Sequence, residues 1–130
     1  MSTKYGANTY KKTSVETANK PQILLMLYEA AIQHVKKAIY CIDKNDMSNK
    51  GKSIVKAHDI INELSNTLDF DVGGEIAINL ERLYNFIIDR LIKGNIENSK
   101  EHLNAVVKVL ENLYEGWKTA IEQINKGEAK

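Results

Sequence analysis

The sequence predicts an all-α fold: an antiparallel up-down four-helix bundle preceded by an irregular N-terminal arm. Three observations predict it. Apolar residues recur at alternating spacings of three and four along four separate segments, the signature of amphipathic helices. Short polar or glycine-containing breaks separate those segments, so neighbouring helices must turn back on one another. The chain also has a single proline and little Val or Thr, which favours helix over sheet.

Residues 1–18 lack a 3.6-residue period and mix Tyr5, Tyr10 and Val15 with Thr, Ser, Asn and Lys, which marks an arm with a few adhesive side chains. The bundle is expected over 19–126. Its first helix, about 20–44, opens with Asn19 as a capping residue, Pro21 in the first turn where a missing donor is tolerated, and Gln22 three residues after the cap. Leu25, Tyr28, Ile32, Val35, Ile39 and Ile42 form its seam, and a second row of Leu24, Leu27, Ala31 and Ala38 widens the face. Asn45-Asp46 breaks it.

The second helix, about 47–69, carries Ile54, Ala57, Ile61, Leu64 and Leu68. Phe70 to Gly74 reads as a turn. The third helix, about 74–93, begins with Glu75 where an acid suits the helix dipole and is expected to stop at Lys93-Gly94. The fourth, about 98–125, starts from Asn98 or Ser99 and aligns Leu103, Val106, Leu110, Leu113, Trp117, Ala120 and Ile124; its last residues are expected to fray.

The third helix carries more apolar side chains than one core can use. At 100° per residue, Ile76, Leu80, Leu83, Tyr84, Ile87 and Leu91 share an arc that reads as the core face. Phe86 and Ile92 lie off that arc, and Ile78 falls nearly opposite, beside Arg82 and Asp89. A surplus of this kind marks a surface covered by a partner segment or by the arm, unless it is only the scattered exposure common to soluble proteins.

Composition narrows the function. At 130 residues with 43% hydrophobic and 27% charged residues, the chain is one ordinary globular domain. A net charge of +1 gives no global basic field, so nucleic acid is not an expected partner. Locally, Lys4, Lys11, Lys12 and Lys20 stand against Glu16, while residues 59–90 hold seven acids against Arg82 and Arg90. That asymmetry fits an arm docked on its own domain, a basic partner, or simply a solvated helix face. No stretch approaches the length needed to span a bilayer and no secretory h-region opens the chain, so membrane insertion is not expected and the cytoplasm is. The lone Cys41 excludes an internal disulfide and reads as core.

Catalysis and metal binding find no support. His34, His58 and His102 are far apart and lack the Glu-x-x-His spacing of bundle metal sites. Adjacent pairs such as Glu101-His102 point about 100° apart on a helix. Gly73-Gly74 lacks the following Lys-Ser/Thr of a phosphate loop. No catalytic residue, cofactor or metal ligand is assigned.

The stretch from Leu68 through Gly73-Gly74-Glu75 to Leu91 resembles the second-to-third helix junction of the flagellar secretion chaperone family FliS. Leu24 to Tyr28, Asn45 to Gly51, Ile60 to Leu64 and Glu115-Gly116-Trp117 resemble other segments of that family, in its order and spacing over about residues 5–120. Two departures stand out. Asn19-Lys20-Pro21-Gln22 replaces the family's usual Ser-Pro-Glu-Gln, and Ala30 occupies a position where a glycine is common.

The resemblance implies a cytoplasmic chaperone that binds the disordered C-terminal region of flagellin, prevents premature polymerisation and delivers it to the export gate protein of the flagellar apparatus, with other flagellar regulators as further partners. It also implies that the arm, through Tyr10, covers apolar surface until the client displaces it. Tyr10, Leu24 and Leu27, together with Ile78 and Phe86 from the surplus of the third helix, are the candidate contact residues. The alternatives are a self-associating helical bundle with no flagellin client and a metal-dependent or enzymatic bundle.

Overall fold

The computed structural model describes residues 20–128, which form four helices: α1 (Lys20–Asp43), α2 (Met47–Asn66), α3 (Phe70–Glu97) and α4 (Lys100–Glu128). The arm, Tyr10 and the expected Asn19 cap lie outside the described residues. Each helix packs on its two neighbours in the order α1, α2, α3, α4 and back to α1. Contacts between helices fix their directions. Lys100 at the start of α4 reaches Asp43 at the end of α1, and Tyr114 further along α4 reaches Glu29. Lys50 near the start of α2 bonds Asn95 and Asn98 at the end of α3. The bundle is therefore antiparallel throughout.

The seam residues of all four helices converge in one core, in which Tyr28, Val35, Ile61, Tyr84, Ile87, Leu91, Leu103 and Leu110 are closed to solvent. Each such burial is worth about 1.5–3 kcal/mol, so the repeating apolar pattern is what drives assembly. Cys41 is buried as expected.

The helix ends depart from the sequence reading in instructive ways. Asp46 caps α2 by accepting from the Asn49 amide, and Asn49 Nδ2 donates to its other oxygen; these bonds hold the Asp46 carboxyl below its usual range. Helix α2 stops at Asn66 rather than near Asp69, its end tightening into i→i−3 bonds in which the Thr67 amide and hydroxyl donate to the Leu64 carbonyl and the Leu68 amide to the Ser65 carbonyl. Of the expected turn at Phe70 to Gly74, residues Phe70 to Gly73 are instead helical, started by Asp69 accepting from the Asp71 and Val72 amides. Gly74, at φ 52° and ψ −125°, then kinks α3.

At its other end α3 runs straight through Lys93-Gly94 to Glu97 and is closed by Asn98 in the left-handed conformation. Gly94 serves close packing, since a Cβ there would lie 2.7 Å from Leu103 Cδ2. A glycine read as a stop signal is a contact point between α3 and α4. Ser99 caps α4 by accepting from the His102 amide. Helix α4 extends to Glu128, and the last residues of the tail expected to fray lie outside the described residues.

The expected core arc of α3 needs one correction. Ala77, Leu80, Tyr84, Ile87 and Leu91 are buried, but Ile76 is 67% exposed and Leu83 36% exposed. Both lie on one edge of the arc, and the helix is rotated so that Ala77 on the other edge faces inward. The unpartnered apolar surface of α3 is correspondingly larger than the sequence reading allowed.

Candidate functional site

Helix lengths create the site. Helix α2 has 20 residues and α4 has 29, about 30 Å against about 43 Å at 1.5 Å per residue. Where α2 ends, the first turns of α1 and the last turns of α4 continue without it. The result is a groove of about 590 Å³ between Pro21, Ile23, Leu24 and Leu27 of α1, Leu64 and Thr67 at the end of α2, and Trp117, Ala120, Ile121 and Ile124 of α4, with Lys20 at its mouth.

Apart from Lys20 at the mouth, the side-chain polar groups in these walls are already engaged. The Thr67 hydroxyl donates to Leu64 O at 2.7 Å, and Trp117 Nε1 donates to the Tyr28 hydroxyl at 3.2 Å. Tyr28 in turn shares a 2.5 Å hydrogen bond with Tyr84, in which either hydroxyl can be the donor. Burial pushes the ionisation of both tyrosines upward, so both stay neutral hydrogen-bonding groups at any physiological pH. Inside its mouth the groove thus presents hydrocarbon and the indole face, a surface suited to aliphatic and aromatic side chains.

A second apolar surface adjoins it. Arg90 Nη1 lies 3.0 Å from His102 Nδ1, which places that flank of α3 toward α4. Ile76, Leu83 and Phe86 fall on the same flank by helical geometry and are all substantially exposed. On the facing side of α4, Val109, Leu113 and Ala120 are only partly covered. An apolar track therefore runs between α3 and α4 from Phe86 toward Ala120, which also lines the groove. The Arg90 guanidinium sits 5.0 Å from the centre of the Phe86 ring.

The structure brings Leu24 and Leu27 together in the groove and places Phe86 on the track. Ile78 is 44% exposed but lies on the opposite, outer side of α3 with Ile92 and Ile96, away from both. Tyr10 lies outside the described residues. Sequence reasoning missed the α4 wall, Trp117, Ile121 and Ile124. A signal was present: the apolar seam of α4 continues past the level at which α2 ends. Among the described residues, no group of three His, Cys, Asp or Glu could hold a metal ion, and no helix is long and apolar enough to cross a membrane.

The family model described as "Flagellar protein FliS" matches residues 1–124. The chain belongs to the FliS family. It is 36% identical over 123 residues to the flagellar secretion chaperone FliS of Salmonella typhimurium, covering 91% of each chain. Against the FliS chaperone of Bacillus subtilis it is 31% identical over 117 residues, covering 90% of this chain and 86% of the relative. A solved structure described as a flagellar chaperone from bacteria superposes with a TM-score of 0.76 at 21% identity, over 92% of this chain and 97% of the other, which shows that the two share a fold. FliS proteins are flagellar export chaperones, not enzymes, in keeping with a site made of hydrocarbon walls.

Proposed function

We propose that this FliS chaperone binds the disordered C-terminal region of flagellin in the cytoplasm, keeps it from polymerising, and hands it to the export gate of the flagellar apparatus. The observation that carries this reading is the apolar groove at the end of α2 and its continuation along α3 and α4. A disordered client with amphipathic helical segments would lay apolar faces into such grooves and fold as it binds. Its ordering cost requires a long wrapped interface, which two connected apolar surfaces supply and one small pocket would not.

The test is calorimetry of the full chain with a C-terminal segment of the same organism's flagellin. Ile124→Asp is the informative variant, because Ile124 is 60% exposed and its replacement leaves the core untouched. Placing a carboxylate in the groove should weaken binding at least about tenfold, equivalent to about 1.4 kcal/mol. Unchanged affinity would move the client off the groove. Failure of the segment to bind, together with a concentration-dependent dimer that Ile124→Asp abolishes, would favour self-association instead.

A further inference from the structure

We infer that Tyr28 is a positioning residue for client binding, acting through Trp117. The inference rests on the groove being the client site. Trp117 is the chain's one tryptophan and forms part of the groove wall. It is partly exposed, and an indole in such a place would ordinarily sample several rotamers. Here its Nε1–H donates to the Tyr28 hydroxyl at 3.2 Å, while Tyr28 itself has no solvent exposure. The anchor cannot drift, because its oxygen is also held at 2.5 Å by Tyr84 from the diagonally opposite helix, and Tyr84 is 1% exposed.

Three helices thereby fix one aromatic ring. Tyr28 comes from α1, Trp117 from α4 and Tyr84 from α3. The effect on recognition is preorganisation: a wall already in its bound orientation spares the complex the cost of freezing a rotamer-rich side chain. The same bond removes the indole donor from the groove. A client backbone or side chain then gains nothing by offering an acceptor there, and selection is left to apolar shape.

The test uses the full chain, the C-terminal flagellin segment as ligand, and indole fluorescence, which reports Trp117 alone. Tyr28→Phe should lower affinity about three- to tenfold, the range expected when an immobilised side chain is released, and should lower indole anisotropy in the free protein. In a Trp117→Phe background, where no donor remains to anchor, Tyr28→Phe should have no further effect on affinity. Tyr84→Phe keeps the Trp117 bond but loosens its anchor; it should reduce the melting temperature and lower affinity and anisotropy by less than Tyr28→Phe does.

Several outcomes overturn the inference. Unchanged affinity in Tyr28→Phe would do so, as would an equal loss in the Trp117→Phe background. A loss of affinity in Tyr84→Phe as large as in Tyr28→Phe would reduce Tyr28 to a stabilising residue. If Ile124→Asp and Leu24→Asp bind the segment normally, the groove reading itself fails. If they lose binding while Tyr28→Phe does not, the groove stands and only the anchor falls.

Discussion

Tyr28 and Tyr84 meet hydroxyl to hydroxyl at 2.5 Å across the diagonal of the bundle, joining two helices that are not neighbours around its rim. Burial raises the ionisation of both above the ordinary value of 10.0, Tyr84 the further, with the shared hydrogen bond adding to its shift. In the unfolded chain each would lose its proton near 10, while the folded chain retains both. The stabilisation is complete below about pH 10 and is lost as pH climbs through the folded values. Urea unfolding followed from pH 8 to 11 should show stability falling above pH 10. Tyr84→Phe should flatten that fall and lower stability at neutral pH by about 1 kcal/mol.

Lys50 is a lysine almost closed to solvent, at 6% exposure, and its ammonium donates to the Asn95 carbonyl and to the Asn98 side chain where α3 ends. A cation suits the negative end of a helix dipole, and hydrogen bonds from charged donors are the stronger kind. Lys50→Met keeps the buried stem and removes those bonds. Denaturant titration should show a loss of about 1–3 kcal/mol without a change in slope; a neutral or stabilising result would mean that releasing the buried charge outweighs the orphaned acceptors.

Gly94 and Gly74 should both resist substitution, for different reasons. A methyl at 94 would press within 2.9 Å of two carbons of the fully buried Leu103, whereas at 74 nothing stands within 4 Å and the obstacle is the backbone itself at φ 52°. Each alanine variant should lose about 1–3 kcal/mol. The two are separable by a cycle with Leu103→Val: the loss at 94 should shrink in that background and the loss at 74 should not.

Phe86→Ser and Ile78→Ser replace exposed side chains on different flanks of α3, so neither should shift the melting temperature by more than a few degrees. Affinity for the flagellin segment should drop several-fold with Phe86→Ser, which interrupts the track between α3 and α4, and hold with Ile78→Ser. Equal losses would mean that the client wraps around the outer face of α3 as well.

Much of the fold was legible because helix period and capping are local properties. Tyr28, Ile61, Leu91 and Leu110 each belong to a seam of three- and four-residue spacings that only a helix places on one face, and all are buried. What escaped depends on distance between helices. Gly94 reads as a stop when seen alone and as a contact point once Leu103 faces it. Ile76 and Leu83 belong to the core arc by angle, yet rotation of α3 by a fraction of a turn exposes them, and nothing within that helix encodes the rotation. The surplus on α3 pointed to an uncovered surface, and Leu24 and Leu27 pointed to a second row on α1. The groove that holds those leucines required knowing that α2 ends at Asn66 while α4 does not stop beside it.

The bundle's polar ties between helices are unevenly distributed along its length. Lys50 with Asn98, Lys100 with Asp43, and Arg90 with His102 all lie at the end where α3 passes into α4, while the groove occupies the other end. One pole is thus firm; at the other, beyond the tie of Trp117 and Tyr84 to Tyr28, the last turns of α4 outrun α2 and are the yielding part. Backbone amides of Leu24, Leu64 and Ile121 should exchange hydrogen through small openings that leave the amides of Ile54 and Leu91 shut, since local stability follows the density of buried contacts and bonds. A ligand seated at the yielding pole would slow exchange there first. Occupancy would be written as a gain in local order, with the far pole acting as the fixed frame against which that gain is measured.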